Sequence, residues 1–347
     1  VKVKHLAIGT GALAALAIAA LLAQQLGGGL GGNGRAGRPA LEGVDLSQAA
    51  RVELQGPRGK VTLVAAPQGW VVEEQSGFPA DQGKLTSFLL KLAAEKLAHR
   101  VTDNPAELPG LGVLSEAENG NKWEERKTGV LLSVRDSAGK PIYQLIIGND
   151  RQAGEVASAT GGQYVRYPGE KEAYLIGAAL FAETEPKEWI LRQVLPPDSN
   201  REFKRIRVLK AGARKALVFS RDQADSPWRL DDATVRGLNT KEIENLAKRI
   251  SDLEAVQVAP ASSDPAALGR AKTAQVEVTL FDGRTYRLDI GEAKAADGNR
   301  YVSVRAAAPE GAGEAIKKPV EEFNGRFHNR ELGVYDWDAA RLLKDRK

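Results

Sequence analysis

Gln68-Gly-Trp-Val-Val-Glu-Glu74 and Ser226-Pro-Trp-Arg-Leu-Asp-Asp232 are two versions of one pattern: a turn, a tryptophan, a short strand and an acidic pair. Their spacing, 158 from Trp70 to Trp228, holds without a gap through the next segment. Asp81 meets Asn239, Leu85 meets Ile243, Phe88 meets Leu246 and Leu92 meets Ile250. Asp81 and Asn239 are natural helix N-caps, because their side-chain oxygens accept from the free amides of the first turn. Glu242, three residues after Asn239, predicts a capping box there. The apolar residues recur at i, i+3, i+4 and i+7, so each copy carries a helix with one buried stripe.

Working outward, each tryptophan follows a candidate hairpin. In the first copy it is Arg51-Val-Glu-Leu-Gln with Lys60-Val-Thr-Leu-Val, and in the second Arg205-Ile-Arg-Val-Leu with Lys215-Ala-Leu-Val-Phe. Alternating apolar and polar residues fit sheets with one wet face. After each helix comes a meander. Tyr143-Gln-Leu-Ile-Ile-Gly148 parallels Tyr286-Arg-Leu-Asp-Ile-Gly291, and Gln163-Tyr-Val-Arg-Tyr167 parallels Arg300-Tyr-Val-Ser-Val304. Asp282-Gly283 supplies a hairpin turn. The copies are expected to end alike, Trp189-Ile-Leu-Arg192 with Leu195 matching Phe327-His-Asn-Arg330 with Leu332. The predicted architecture is α+β: two tandem copies of a mainly antiparallel sheet backed by helices, preceded by one N-terminal transmembrane helix.

That helix is read from Leu6 to Ala23, an uncharged run of eighteen residues after Lys2 and Lys4. As a helix it spans roughly 27 Å, close to the hydrocarbon core of a bilayer. Leu6, Ile8, Leu13, Leu16, Ile18, Leu21 and Leu22 are the anchor residues. Lysines before the run predict an N-inside orientation, opposed by Arg35 and Arg38 beyond it. A cleavable signal peptide ending at Leu21-Leu22-Ala23 is the alternative. Gly9-Thr-Gly11-Ala-Leu-Ala14 also fits the GxGxxA of a dinucleotide fold, but no acidic residue follows at the required distance. The division is then residues 1–26 anchor, 27–41 Gly-rich flexible linker, 42–198 first repeat and 199–347 second repeat.

Chemistry is scarce. The chain has no Cys, so it has neither a disulfide framework nor a thiolate nucleophile. Three histidines, His5, His99 and His328, are too scattered for a His-based metal site, and His99 reads as the end of a helix. A net charge of +4, with Lys and Arg interspersed among acids, gives no nucleic-acid stripe. The acidic pairs Glu73-Glu74, Glu124-Glu125, Asp231-Asp232 and Glu321-Glu322 could serve a glycosidase only at particular separations. Trp70 and Trp228, at equivalent strand positions, are expected in the core. Trp189, in a less regular context like Trp123 and Trp337, is with Arg192 the candidate partner contact.

Gly69-Trp70, Ala80-Asp81 with Lys84, Tyr143 to Gly148 and Trp189 to Arg192 resemble the motifs of the bacterial domain-of-unknown-function family 4340. The resemblance covers the chain from about residue 41 onward, more loosely in the second copy. It implies a membrane-tethered, extracytoplasmic protein, often encoded beside gliding-type ABC transporter components, and it supplies no catalytic residues. The expected function is therefore a non-enzymatic accessory subunit in the bacterial inner membrane, single-pass, its globular part periplasmic. It would have a protein partner in the envelope and no cofactor, metal or nucleic acid. Two alternatives are a binding module for an envelope glycan or small ligand, seated between the copies, and a carboxylate-based hydrolase.

Overall fold

The computed structural model describes residues 34–151, 161–197, 199–231, 239–260, 262–327 and 329–344. The anchor residues, from Leu6 to Leu22, lie outside the described residues, as do Asp232 and His328. Among the described residues no helix is long and apolar enough to cross a membrane. The chain divides into two compact units, up to Ile190 and from Leu191 onward. The segment after Ile190 pairs forward, as Gln193 bridges Glu254.

In the first unit, β1 (Arg51–Gly56), β2 (Gly59–Ala66), β3 (Gly69–Val72) and the short β4 (Phe78–Pro79) form a meander. Helix α1 (Gln82–Ala94) then carries the chain to β5 (His99–Thr102) at the opposite edge. After a short helix, α2 (Leu108–Leu111), the chain returns to the centre with β6 (Val130–Arg135), which pairs with β1. It then steps outward through β7 (Pro141–Arg151), β8 (Gly162–Arg166) and β9 (Ala173–Ile176). The nine-stranded order is β4-β3-β2-β1-β6-β7-β8-β9-β5.

The second unit repeats this path. Its strands are β10 (Phe203–Leu209), β11 (Leu217–Ser220), β12 (Arg229–Leu230), β13 (Gln257–Ala259), β14 (Thr273–Leu280), β15 (Thr285–Gly291), β16 (Asn299–Ala307) and β17 (Glu331–Tyr335). Helix α3 (Thr240–Ser251) again crosses to the far edge, and the order is β12-β11-β10-β14-β15-β16-β17-β13. Apart from β4, which has no described counterpart, the two orders are the same.

The register agrees residue by residue. Val52 faces Val134, which faces Tyr143; in the second unit Ile206 faces Val278, which faces Tyr286. Ile147 pairs with Val165 as Ile290 pairs with Val302. Because a one-residue slip would turn each row to the other face, this match fixes which residues enter each core. Trp70 and Trp228 are both buried, 3% exposed. The helices match as closely: α1 buries Leu85, Phe88, Leu89, Leu92 and Ala93, and α3 buries Ile243, Leu246, Ala247, Ile250 and Ser251. Each buried Leu or Ile contributes roughly 1.5–3 kcal/mol of transfer free energy, so this stripe holds the helix on the sheet. The glycine closing each Tyr-x-Leu-x-Ile-Gly motif permits a close crossing. A Cβ on Gly148 would stand 2.6 Å from the Leu111 carbonyl, and one on Gly291 2.9 Å from that of Gly269.

Four sequence expectations need correction. The flexible linker does not reach residue 41. From Arg35 the chain is a strap on the first unit, with Gly37 N donating to Leu97 O at 2.6 Å, Leu97 N to Arg38 O and Ala40 N to Glu95 O. The Arg35 guanidinium lies 4.2 Å from the Tyr167 ring centre, and the Tyr143 and Tyr167 hydroxyls both donate to Ala40 O. Composition predicted a loose chain, but aromatic hydroxyls far along the sequence hold it. The second correction concerns Asn239: it stands at the N-cap, yet its side chain makes no capping bond, and Glu242 N bonds to the Asn239 carbonyl instead. Asp81 does cap, accepting from Lys84 N at 2.9 Å.

Third, α1 ends at Ala94, so His99 opens strand β5 opposite Leu175 rather than closing a helix. Fourth, the ends of the copies do not match as proposed. Val165 faces Tyr174 and Val302 faces Leu332, so Leu332 is the counterpart of Tyr174, within the last strand. Phe327 closes α4 (Glu314–Phe327), a helix of the second unit inserted before that strand. Trp189 comes after the last strand of its own unit, and its topological counterpart is Trp337, in α5 (Asp336–Leu342).

Candidate functional site

Trp189 is not a surface contact. It sits in a single 3-10 turn, Pro186–Trp189, with an exposure of 0%. Its ring meets Phe88 edge-on at 5.8 Å, its Nε1 donates to Glu183 O at 2.8 Å, and Lys84 Nζ lies 4.9 Å from the ring centre. Asp81 N donates to the Trp189 carbonyl, so the same residue also fixes the start of α1. An indole with its N–H satisfied and its ring enclosed is a packing element. Arg192, the other proposed contact, is partly buried and belongs to the second unit, where its carbonyl accepts from Ala255 N at 2.7 Å.

Six members of the acidic pairs are engaged in ion pairs or hydrogen bonds. Glu73 takes both terminal nitrogens of Arg51, at 2.9 and 3.1 Å, while Glu74 accepts from Thr62 N. Glu124 and Glu125 pair with Lys127 and Arg58, Asp231 with Arg205, and Glu322 with Lys318. Among the described residues no group of three or more His, Asp or Glu side chains could hold a metal.

An exposed aromatic stack lies at the end of the second unit. Tyr335, the last residue of β17, and Trp337, in the first turn of α5, stack at 5.3 Å with an interplanar angle of 14°. Both are open to solvent, at 46% and 52%. The Arg341 guanidinium lies 5.1 Å from the Trp337 ring centre, one helical turn on. Beside them α3 and α5 form a groove of about 180 Å³, lined by Glu242, Asn245, Arg249, Arg341 and Lys344. Burial raises the Asp338 carboxyl above its ordinary value, against the pull of Arg341 and Arg249. Arg300 anchors α5 through Asp336 at 2.5 Å, so the stack stands on a fixed helix.

A stacked Tyr and Trp with an Arg over the ring combine the residue types that dominate binding energy at protein interfaces. The sequence points to Trp189 as an exposed contact, but Trp189 is buried and Trp337 is the exposed tryptophan. The usable signal was the setting of Trp337 in Tyr-Asp-Trp-Asp, where acids flank both sides of the ring. Trp189 is followed directly by Ile-Leu.

No curated protein and no solved structure matches the chain. A family model does match, that of a domain of unknown function, DUF4340, over residues 70–273. The match begins at Trp70 and runs through α1, the first meander, the junction of the units and α3 to the start of β14, more than half of the 347 residues. This chain, two antiparallel modules with one strand order, belongs to the DUF4340 family.

Proposed function

We propose that this protein is a non-enzymatic, membrane-tethered envelope protein that works as an accessory subunit, docking a protein partner on the Tyr335–Trp337–Arg341 surface. The observation that carries this reading is the exposed stack: two large aromatics held in one geometry outside the core. The uncharged run from Leu6 to Ala23 supports a single-pass anchor in the bacterial inner membrane, with the globular part on the extracytoplasmic side. The family resemblance suggests a component of an ABC-transporter-associated complex as the partner. The engagement of Glu73, Glu74, Glu124, Glu125, Asp231 and Glu322 in ion pairs and hydrogen bonds supports a role without catalysis.

The test is co-purification of the full chain from native membranes, with the partner quantified by mass spectrometry for wild type, Trp337→Ala and Arg341→Ala. Hot-spot truncation costs on the order of 2 kcal/mol or more, so partner recovery should fall at least about tenfold in Trp337→Ala while the protein stays folded. Undiminished recovery in both variants would sink the reading.

A further inference from the structure

The first unit presents an apolar loop at a place where surface chain is usually polar. From Ala173 to Ala182 the sequence carries no charge. The first four of these residues are β9, and the rest, Gly177-Ala-Ala-Leu-Phe-Ala182, cross the C-terminal end of α1. Leu180 is buried, whereas Phe181 is 72% exposed, more than any other large apolar side chain among the described residues.

The loop is tied down. Glu95 Oε2 accepts from Gly177 N at 2.8 Å and from Ala178 N at 3.2 Å. Lys91 Nζ donates to Ala179 O at 2.6 Å, and Gln163 Oε1 accepts from Leu180 N at 2.7 Å. Three side chains from distant segments therefore hold a phenyl ring out in water, where it adds nothing to the core. Lys91 Nζ also lies 5.0 Å from the centre of that ring.

Glu95 joins this loop to the strap, because its carbonyl accepts from Ala40 N while its carboxylate holds Gly177 and Ala178. The strap is outermost here: Leu97 bonds to Gly37 and Arg38, and Ala98 N turns the other way to Leu175 O. The loop thus shares an edge of the unit with the chain that leads back to the Leu6–Ala23 run. Eleven backbone steps from Ala23 to Gly34 reach at most ~40 Å.

An apolar ring beside an ammonium suits the boundary between acyl chains and headgroups, the ring on the apolar side and the lysine reaching the phosphates. Lys96, exposed and bridged through its backbone to Pro39, adds a second cation to this edge. A protein hot spot is ringed by further contacts that exclude water, and here the neighbours are alanines and a glycine. We propose that the Phe181 loop is a membrane-contact site, its ring entering the headgroup boundary while Lys91 and Lys96 attract anionic lipid phosphates. The inference rests on the tether proposed above and is separate from the Trp337 surface.

The chain has no Cys, so Ala182→Cys supplies a single thiol for a fluorophore while Phe181 stays in place. Full-length protein is reconstituted into vesicles of phosphatidylcholine and phosphatidylglycerol, with and without brominated acyl chains. Bromination should quench the probe at 182. It should spare the same probe at Ala138→Cys, in the β6–β7 turn at the other end of the sheet. Adding Phe181→Ala should lower the docked-to-free ratio at 182 about tenfold. Phe181 lies outside the core, so this variant should keep its fold, as circular dichroism can verify. Alkaline washing of the same vesicles checks the tether separately, and a chain washed off would sink the tether and this inference with it. In a retained chain, no quenching at 182, equal quenching at 138, or quenching that survives Phe181→Ala would overturn the membrane contact alone.

Discussion

Trp189 and Trp337 hold the same place in the order of elements, after the last strand of their units, and meet opposite fates. The first unit closes over its tryptophan; the second leaves its own stacked on Tyr335 in solvent. The buried arginines differ in the same sense. Arg166, 1% exposed, is neutralised by both oxygens of Glu118 and bonded to the Val113 and Glu170 carbonyls. In the second unit Arg221 is held by the carbonyls of Asn200, Arg201, Phe203 and Ala224 and lies 4.7 Å from the Trp228 ring centre. The duplicated sheet and helix define the module. The divergence sits in the connections, where the second unit carries α4 and an exposed stack.

The largest test of this contrast is a pair of substitutions at the tryptophans. Trp189→Ala should destabilise the first unit by about 3–5 kcal/mol, the usual range for emptying a core aromatic site. Trp337→Ala should stay within about 0.5 kcal/mol, as surface changes do. Urea unfolding of the two variants gives both values, and equal losses would break the distinction.

The next effect concerns acid. Burial would raise the Glu118 carboxyl, but hydrogen bonds from Arg166 and Ser115 outweigh it and bring it down to about 2. A depressed folded value means that stabilisation is complete above the unfolded value, about 4.5, and is lost as pH falls towards about 2. Glu118→Ala leaves Arg166 buried without its counter-charge and should cost about 3 kcal/mol near neutral pH. The gap between wild type and variant should narrow on going from about pH 6 to about pH 3. A constant gap would show that the pair adds nothing through its charge.

The smallest effect separates the two helix starts. Asp81→Ala removes a real cap and should cost about 1 kcal/mol, while Asn239→Ala should cost a few tenths at most. Equal values by thermal unfolding would mean that the Asn239 side chain caps in solution.

The sequence predicts the repeat well because the repeat rests on local periodicity. Leu85, Phe88 and Leu92 against Ile243, Leu246 and Ile250 needed only a 3.6-residue period, and Tyr143 against Tyr286 only an alternating one. Strand β9, Ala-Tyr-Leu-Ile, was missed because it is buried on both faces and does not alternate. Helix α4 was missed because Pro319 lies inside it, and proline argues against a helix interior. The candidate site was hardest to read. Whether a tryptophan is enclosed depends on Phe88 and Lys84, about a hundred residues from Trp189, and no local pattern carries that information.

The strap from Arg35 to Leu41 bears on mechanics. Seven residues of extended chain would reach ~24 Å, and docking on the first unit withdraws that length from any leash. Tension on the chain before Arg35 would meet the Arg35–Glu170 pair first, then the hydrogen bonds running from Gly37 to Ala40 along residues 95–97. Each bond released would lengthen the leash by one or two residues while the sheet stayed whole. In the membrane-tethered reading proposed above, the strap would set how far the protein stands from its anchor at rest and how much that distance yields under load.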